Sequence, residues 1–160
     1  MKDRTLQNCE FSALHRINTF FGCIDNIDEL LQRIMSEASR TVGAQASSIA
    51  LYDTREKNLH FTVSLGKKSK QIKEITLKLG QGIIGYAALH KKPLNIPDVS
   101  KDPRFHAEVD KKVKFKTKSI LAVPIVRKQR LIGALEVINK KNSGRFTGAD
   151  TKLLEIVAGQ

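Results

Sequence analysis

Residues 79–87 read LGQGIIGYA, and within them Gly80, Gly82 and Gly85 have the G-x-G-x-x-G spacing of a turn that wraps a pyrophosphate. Asp98 lies eighteen residues after the first glycine, near the distance at which such a site places the acid that binds a ribose. The chemistry on offer is dinucleotide binding. Other reactive residue types are sparse. The four histidines, His15, His60, His90 and His106, have no metal-ligand spacing and no cysteine partner beyond residue 23. No Ser, Cys or Thr stands in a recognisable arrangement with a base and an orienting group, as a nucleophile would require. Cys9 and Cys23 are not in a C-x-x-C spacing, and they read as two thiols of a reduced compartment rather than as a disulfide.

The elements that must hold the glycines argue against the dinucleotide reading. A fingerprint needs a buried parallel strand before it and a full crossover helix after it. Residues 75–79, ITLKL, alternate apolar and polar, which predicts a half-exposed strand. A helix from about Gly82 cannot outlast Lys92, because Pro93 follows. Asp98 falls in an Ile-Pro-Asp turn. The glycines then serve tight turning and close backbone approach, with Ile83 and Ile84 packed inward.

The rest of the chain divides by period. Residues 5–21 carry Leu6, Ala13, Ile17 and Phe20 near one stripe and predict a first helix. Asp25 and Asn26 are cap residues for a second, in which Ile27, Leu30, Leu31, Ile34, Ala38 and Val42 recur at helical steps before a stop at Gly43. Residues 47–53 and 59–64 predict a hairpin of strands, 94–98 a short extended piece, and the segment PRFHAEVDK a small helix. Residues 119–126 (SILAVPIV) and 131–139 (LIGALEVIN) are the strongest strands. Thr147 and Asp150 have capping-box spacing for a last helix that is expected to run uncapped to the final residue, as if the chain continued. Strands joined by tight turns, with helices before and after them, predict an antiparallel sheet in an α+β domain.

Charge is the unusual feature of the composition. The chain of 160 residues has 28 basic against 16 acidic residues, a formal net charge of +12. The basic residues come in short groups, such as Lys67-Lys68-Ser69-Lys70 and Lys111-Lys112, at places where turns are expected. The run Val113-Lys114-Phe115-Lys116-Thr117-Lys118 alternates, which places its lysines on one face if extended. No basic platform is interleaved with aromatics, so a nucleic-acid face is the weakest reading of this charge. No apolar run approaches the about 18 residues of a membrane span, and a cytoplasmic location is the expectation.

The ordered series LGQGIIGYAALHKKPLNIPDVSKDPRFH, SILAVPIV and LIGALEVINK resembles the GAF domain, a small-molecule sensory module of signalling proteins. The resemblance covers about residues 28–158 and is similar to the phosphodiesterase and cyclase subgroup. It implies a central antiparallel sheet of about six strands, terminal helices on one face, and a ligand cavity under loops and short helices on the other. It also implies a division into residues 1–25, a linker or dimerisation helix, and 26–160, the GAF domain, cut from a longer protein. The signature of nucleotide-binding members, Asn-Lys followed by Phe-x-x-x-Asp-Glu, reads here as Asn139, Lys140, Phe146 and Asp150, with Thr151 in place of Glu. In the family this Lys and Asp pair and brace the structure.

Positions that touch the purine or cyclic phosphate in those relatives fall on Ser48, Ile83, Ile84, Asp110, Thr117 and Glu136. Hydroxyls can donate to a phosphate or a base edge, the two isoleucines can cover a base, and backbone N–H groups near Gly82 favour an anion. The aromatic–acid pair that follows the second strand in relatives is Ser64-Leu65 here, which weakens purine recognition. Cyclic AMP, cyclic GMP, another metabolite and no ligand at all stay open. The cysteines of methionine-sulfoxide-reducing or bilin-holding members are missing from the pocket region, so catalysis is not expected. Two roles follow: a ligand-binding regulatory module controlling an attached output domain, or a module that only dimerises through its terminal helices.

Overall fold

The structure, a computed structural model, describes His15, Arg16 and residues 26–142 and 144–159. His15 and Arg16 are helical, while the rest of the helix expected over 5–21, and both cysteines, lie outside the described residues. Helix α1 (Ile27–Val42) starts at Asn26, whose Oδ1 accepts the Asp28 N–H at 2.9 Å, and stops at Gly43 in the left-handed region at φ 66°. The strands are β1 (Ala44–Asp53), β2 (Asn58–Leu65), β3 (Thr76–Lys78), β4 (Leu94–Ile96), β5 (Ile120–Arg127) and β6 (Arg130–Lys140). They form one six-stranded sheet in the order β3-β2-β1-β6-β5-β4, with every neighbouring pair antiparallel. Between them lie α2 (Ser69–Lys73), α3 (Gly82–His90), a 3₁₀ turn (Val99–Lys101) and α4 (Ala107–Val113), and α5 (Gly148–Ala158) follows β6. The architecture is α+β.

Both faces of the sheet are covered, and side-chain alternation sorts residues between them. Leu135 and Val137 of β6, with Leu121 and Val123 of β5, join Met35, Ala38 and Val42 of α1 and Leu153, Leu154 and Val157 of α5 in one core. Their neighbours Ala134, Glu136, Ile120 and Ala122 face the other way, toward α3 and α4. Glu136 is the one carboxylate in this otherwise apolar row.

The three glycines are explained by their geometry. Gly80 and Gly82 have φ of 89° and 70°, which L side chains rarely adopt. A Cβ on Gly85 would meet the Lys78 carbonyl oxygen at 3.1 Å and Gly80 backbone at 3.2 Å, so a side chain there would push α3 a few tenths of an ångström off the turn. The strand before them, β3, is a three-residue edge strand, and α3 has nine residues. Asp98 caps the 3₁₀ turn by accepting the Ser100 N–H at 3.1 Å. No dinucleotide cradle is built.

One local reading is corrected. Residues 69–73 form a helix rather than a turn, because one short turn of helix with no side-chain cap leaves no periodic signal.

Candidate functional site

Beneath α3 and α4 lies a hollow of about 60 Å³, lined by Ile83, Ile84, Asp110, Thr117 and Glu136 together with apolar side chains. A second lobe of about 30 Å³ opens beside the ends of β1 and β2 and is lined by Ser48, Ser64 and Glu136. Ile72, Phe115, Glu136 and Ile138 line both lobes, so they are compartments of one site. All six residues proposed from sequence therefore converge, although they come from β1, α3, α4, the loop before β5, and β6. The two lobes have room for a few water molecules. Pockets for small-molecule ligands usually enclose roughly 300–1,000 Å³, so a nucleotide needs the covering segments to move outward.

Glu136 is the electrostatic centre. Pairing of β1 with β6 sets Ser48 opposite Glu136, and the Ser48 hydroxyl donates to Glu136 Oε1 at 2.9 Å. Burial pushes the Glu136 carboxyl up to about 7, Ser48 pulls the other way, and the negative Asp110 nearby adds to the rise. Near neutral pH the group can therefore present either a hydroxyl donor or a carboxylate.

The cover is tied down by polar contacts. Thr117 donates its backbone N–H at 2.7 Å and its hydroxyl at 2.6 Å to the Asp110 carboxylate, which closes the loop between α4 and β5. Asn139, at φ 58°, accepts the Lys118 and Ser119 N–H groups at 2.7 and 3.3 Å and donates to Gln45 Oε1 and the Lys116 carbonyl at 2.9 and 3.0 Å. Lys140 Nζ lies 2.7 Å from Asp150 Oδ2, with the two side chains 16% and 12% exposed. Asp150 also accepts the Thr147 N–H at 2.7 Å, and its own N–H donates to Thr147 Oγ1 at 3.1 Å in return. Buried Phe146 lies 5.7 Å from the Lys140 ammonium. These four side chains join the sheet end, the cover and α5, and do not line the hollow.

Sequence reasoning missed part of the lining. His106 reads as a lone histidine, but it borders the hollow, and its Nε2 lies 3.0 Å from Gln81 Nε2. Gln81 Oε1 accepts the Lys78 N–H at 3.0 Å, so its amide nitrogen is the donor and His106 Nε2 the acceptor, which places a neutral ring's proton on Nδ1. The signal available was the polar Gln81 between two glycines. Ile72 and Phe115 could not be placed without α2. Among the described residues one group, Asp53, Glu56 and His60, brings metal-capable atoms within 4.8 Å of one another. It belongs to the β1–β2 turn, where Asp53 accepts turn N–H groups and Glu56 meets His60 at 2.9 Å, and it does not line the hollow.

The comparisons agree with this fold. The sequence profile of the GAF domain matches residues 26–160. A probable 3',5'-cyclic phosphodiesterase of Caenorhabditis elegans is 32% identical over 98% of the chain and 22% of its own length. A dual 3',5'-cyclic-AMP and -GMP phosphodiesterase 11A of Takifugu rubripes is 45% identical over 52% of the chain and 9% of its own length. The chain thus spans about a fifth or less of these relatives. Among solved structures, the GAF domain of a phosphoenolpyruvate-protein phosphotransferase from Coxiella burnetii superposes with a TM-score of 0.84 at 21% identity, covering 93% of this chain and 88% of that one. A free methionine-R-sulfoxide reductase from Neisseria meningitidis gives 0.77 at 19% identity, over 93% and 83%. At such identities these two speak for the fold alone. With its profile match over most of its length and a relative sharing a third of its residues, the chain belongs to the GAF domain family.

Proposed function

We propose that this chain is a non-catalytic sensory domain that binds a small molecule in the two-lobed hollow and passes the event to an attached signalling output domain. The observation that carries the reading is the buried Glu136–Ser48 pair inside an apolar hollow whose cover is held by the Asp110–Thr117 bonds. A few convergent polar groups in an apolar concavity are what a ligand site needs. Cyclic AMP and cyclic GMP are the first ligands to try, because the relatives are cyclic-nucleotide phosphodiesterases, and another small metabolite is the alternative. Residues 26–160 are the sensory unit and 1–25 a linker or dimerisation segment of a cytoplasmic protein. Ser48, Ile83, Ile84, Asp110, Thr117 and Glu136 are the contact residues. Asn139, Lys140, Phe146 and Asp150 brace the cover. Calorimetry and thermal shift with both cyclic nucleotides and a metabolite panel test the reading, and uniformly flat results would overturn it.

A second reading, a homodimer that signals through its terminal helices with or without a ligand, is favoured by the exposure of Ile27 on α1 and Ile156 on α5. Light scattering that finds a monomer across a wide concentration range removes it.

A further inference from the structure

We infer that the smaller lobe is an anion subsite, in which Ser64, Lys67, Lys68 and Ser69 receive a phosphate or carboxylate group of the guest. This rests on the sensory reading and names the class of its ligand.

Ser64 and Leu65, at the end of β2, line the lobe. Ser64 pairs with Ser48 across β1 and β2, so its hydroxyl shares the face of Ser48 and Glu136 and points to the lobe that all three line. Ser64 is only 9% exposed, and among the described residues no hydrogen bond ties its hydroxyl to another side chain or to backbone, so it is available to a ligand oxygen at the mouth of the lobe. Lys67 and Lys68 line the same lobe, and among the described residues neither pairs with a carboxylate.

The charge of the cover points the same way. Residues 67–74 and 107–118 carry nine lysines against Glu74, Glu108 and Asp110, which is half of the protein's net charge of +12 in an eighth of its length. Asp110, bonded to Thr117, and Glu108, paired with Lys111, are already subtracted in this balance, so the cover stays net positive. Such a field concentrates anions. The helix α2, five residues long with none buried, is the segment that must yield to admit a group larger than water.

Glu136 at the back of the lobe does not oppose this. The titratable and charged groups around it are Asp110 and His106 on the α4 side and Lys67 and Lys68 beside β2. Burial raises its carboxyl to about 7, so an anion can meet it protonated, as a donor. Uptake of the anion then takes up a proton, and binding weakens as pH rises above about 7.

The test uses the full chain with inorganic phosphate, succinate and cyclic GMP as probes, read by ³¹P and ¹H line broadening and by competition. Lys67→Gln/Lys68→Gln is expected to weaken anion binding at least about tenfold, and Ser64→Ala about fivefold. Lys128→Gln, in the β5–β6 turn, is the control for overall charge, and circular dichroism checks the fold. Phosphate preferred over succinate assigns the subsite to a phosphate ester, and the reverse to a carboxylate. Anion binding that ignores these substitutions, or falls equally in Lys128→Gln, overturns the inference. Cyclic GMP bound unchanged by all the variants also overturns it, while leaving the sensory role intact. Silence of every probe overturns the inference, while the sensory role is decided by the wider panel of cyclic nucleotides and metabolites.

Discussion

Replacing Glu136 by Gln takes away a proton-binding group that folding has made unusually basic. In the unfolded chain this carboxyl titrates near its ordinary 4.5, and in the folded protein near 7. Below about 4.5 both states are protonated, and the group contributes no pH dependence. Between 4.5 and 7 the folded state holds a proton that the unfolded state has released, so stability falls as pH rises through this window. Above 7 both states are ionised, and the penalty is constant. At 1.36 kcal/mol per pH unit it amounts to about 3 kcal/mol. Glutamine keeps the shape and the acceptor for Ser48 and does not titrate. The stability of Glu136→Gln relative to wild type is therefore expected to rise by about 3 kcal/mol between pH 4.5 and 8. Urea denaturation of both proteins across that range measures it, and the other titrating groups cancel in the difference. A difference that stays constant within about 0.5 kcal/mol would refute the reasoning, as would a carboxyl ¹³C titration near 4.5.

Other substitutions test the parts that hold the cover. Thr117→Val removes the 2.6 Å bond to Asp110 and should cost about 2 kcal/mol, with faster hydrogen exchange over residues 110–118. Asn139→Ala strands two N–H groups and forces alanine into a left-handed φ of 58°, for a loss of about 3 kcal/mol. Asn139→Gly should lose about 1 kcal/mol less, since only the bonds and not the backbone are compromised; equal losses in denaturation would remove the strain argument. Asp150→Ala should cost about 3 kcal/mol and Lys140→Ala less, with a double-mutant coupling of about 1–2 kcal/mol for so shielded a pair. Negligible coupling would show that the pair does not brace α5.

Some of this protein is written in local sequence. The steps of Ile34, Ala38 and Val42 give α1, and the Thr147–Asp150 spacing gives the start of α5. The alternation in LIGALEVIN sets Glu136 on the face opposite Leu135 and Val137, because a strand's side chains change sides at every residue. The motif series was enough for the GAF resemblance, and the failure of G-x-G-x-x-G to be a cradle was legible in the half-exposed strand before it. Tertiary structure alone decided what Glu136 meets. Ser48 lies 88 residues away in the chain and reaches it only because β1 pairs with β6 in one register. The same holds for Gln81 with His106, for Asn139 with the loop before β5, and for Ser64 beside Glu136 at the open lobe. Helical and strand periods are properties of neighbours in the chain, whereas these contacts depend on which distant backbones the core brings into register.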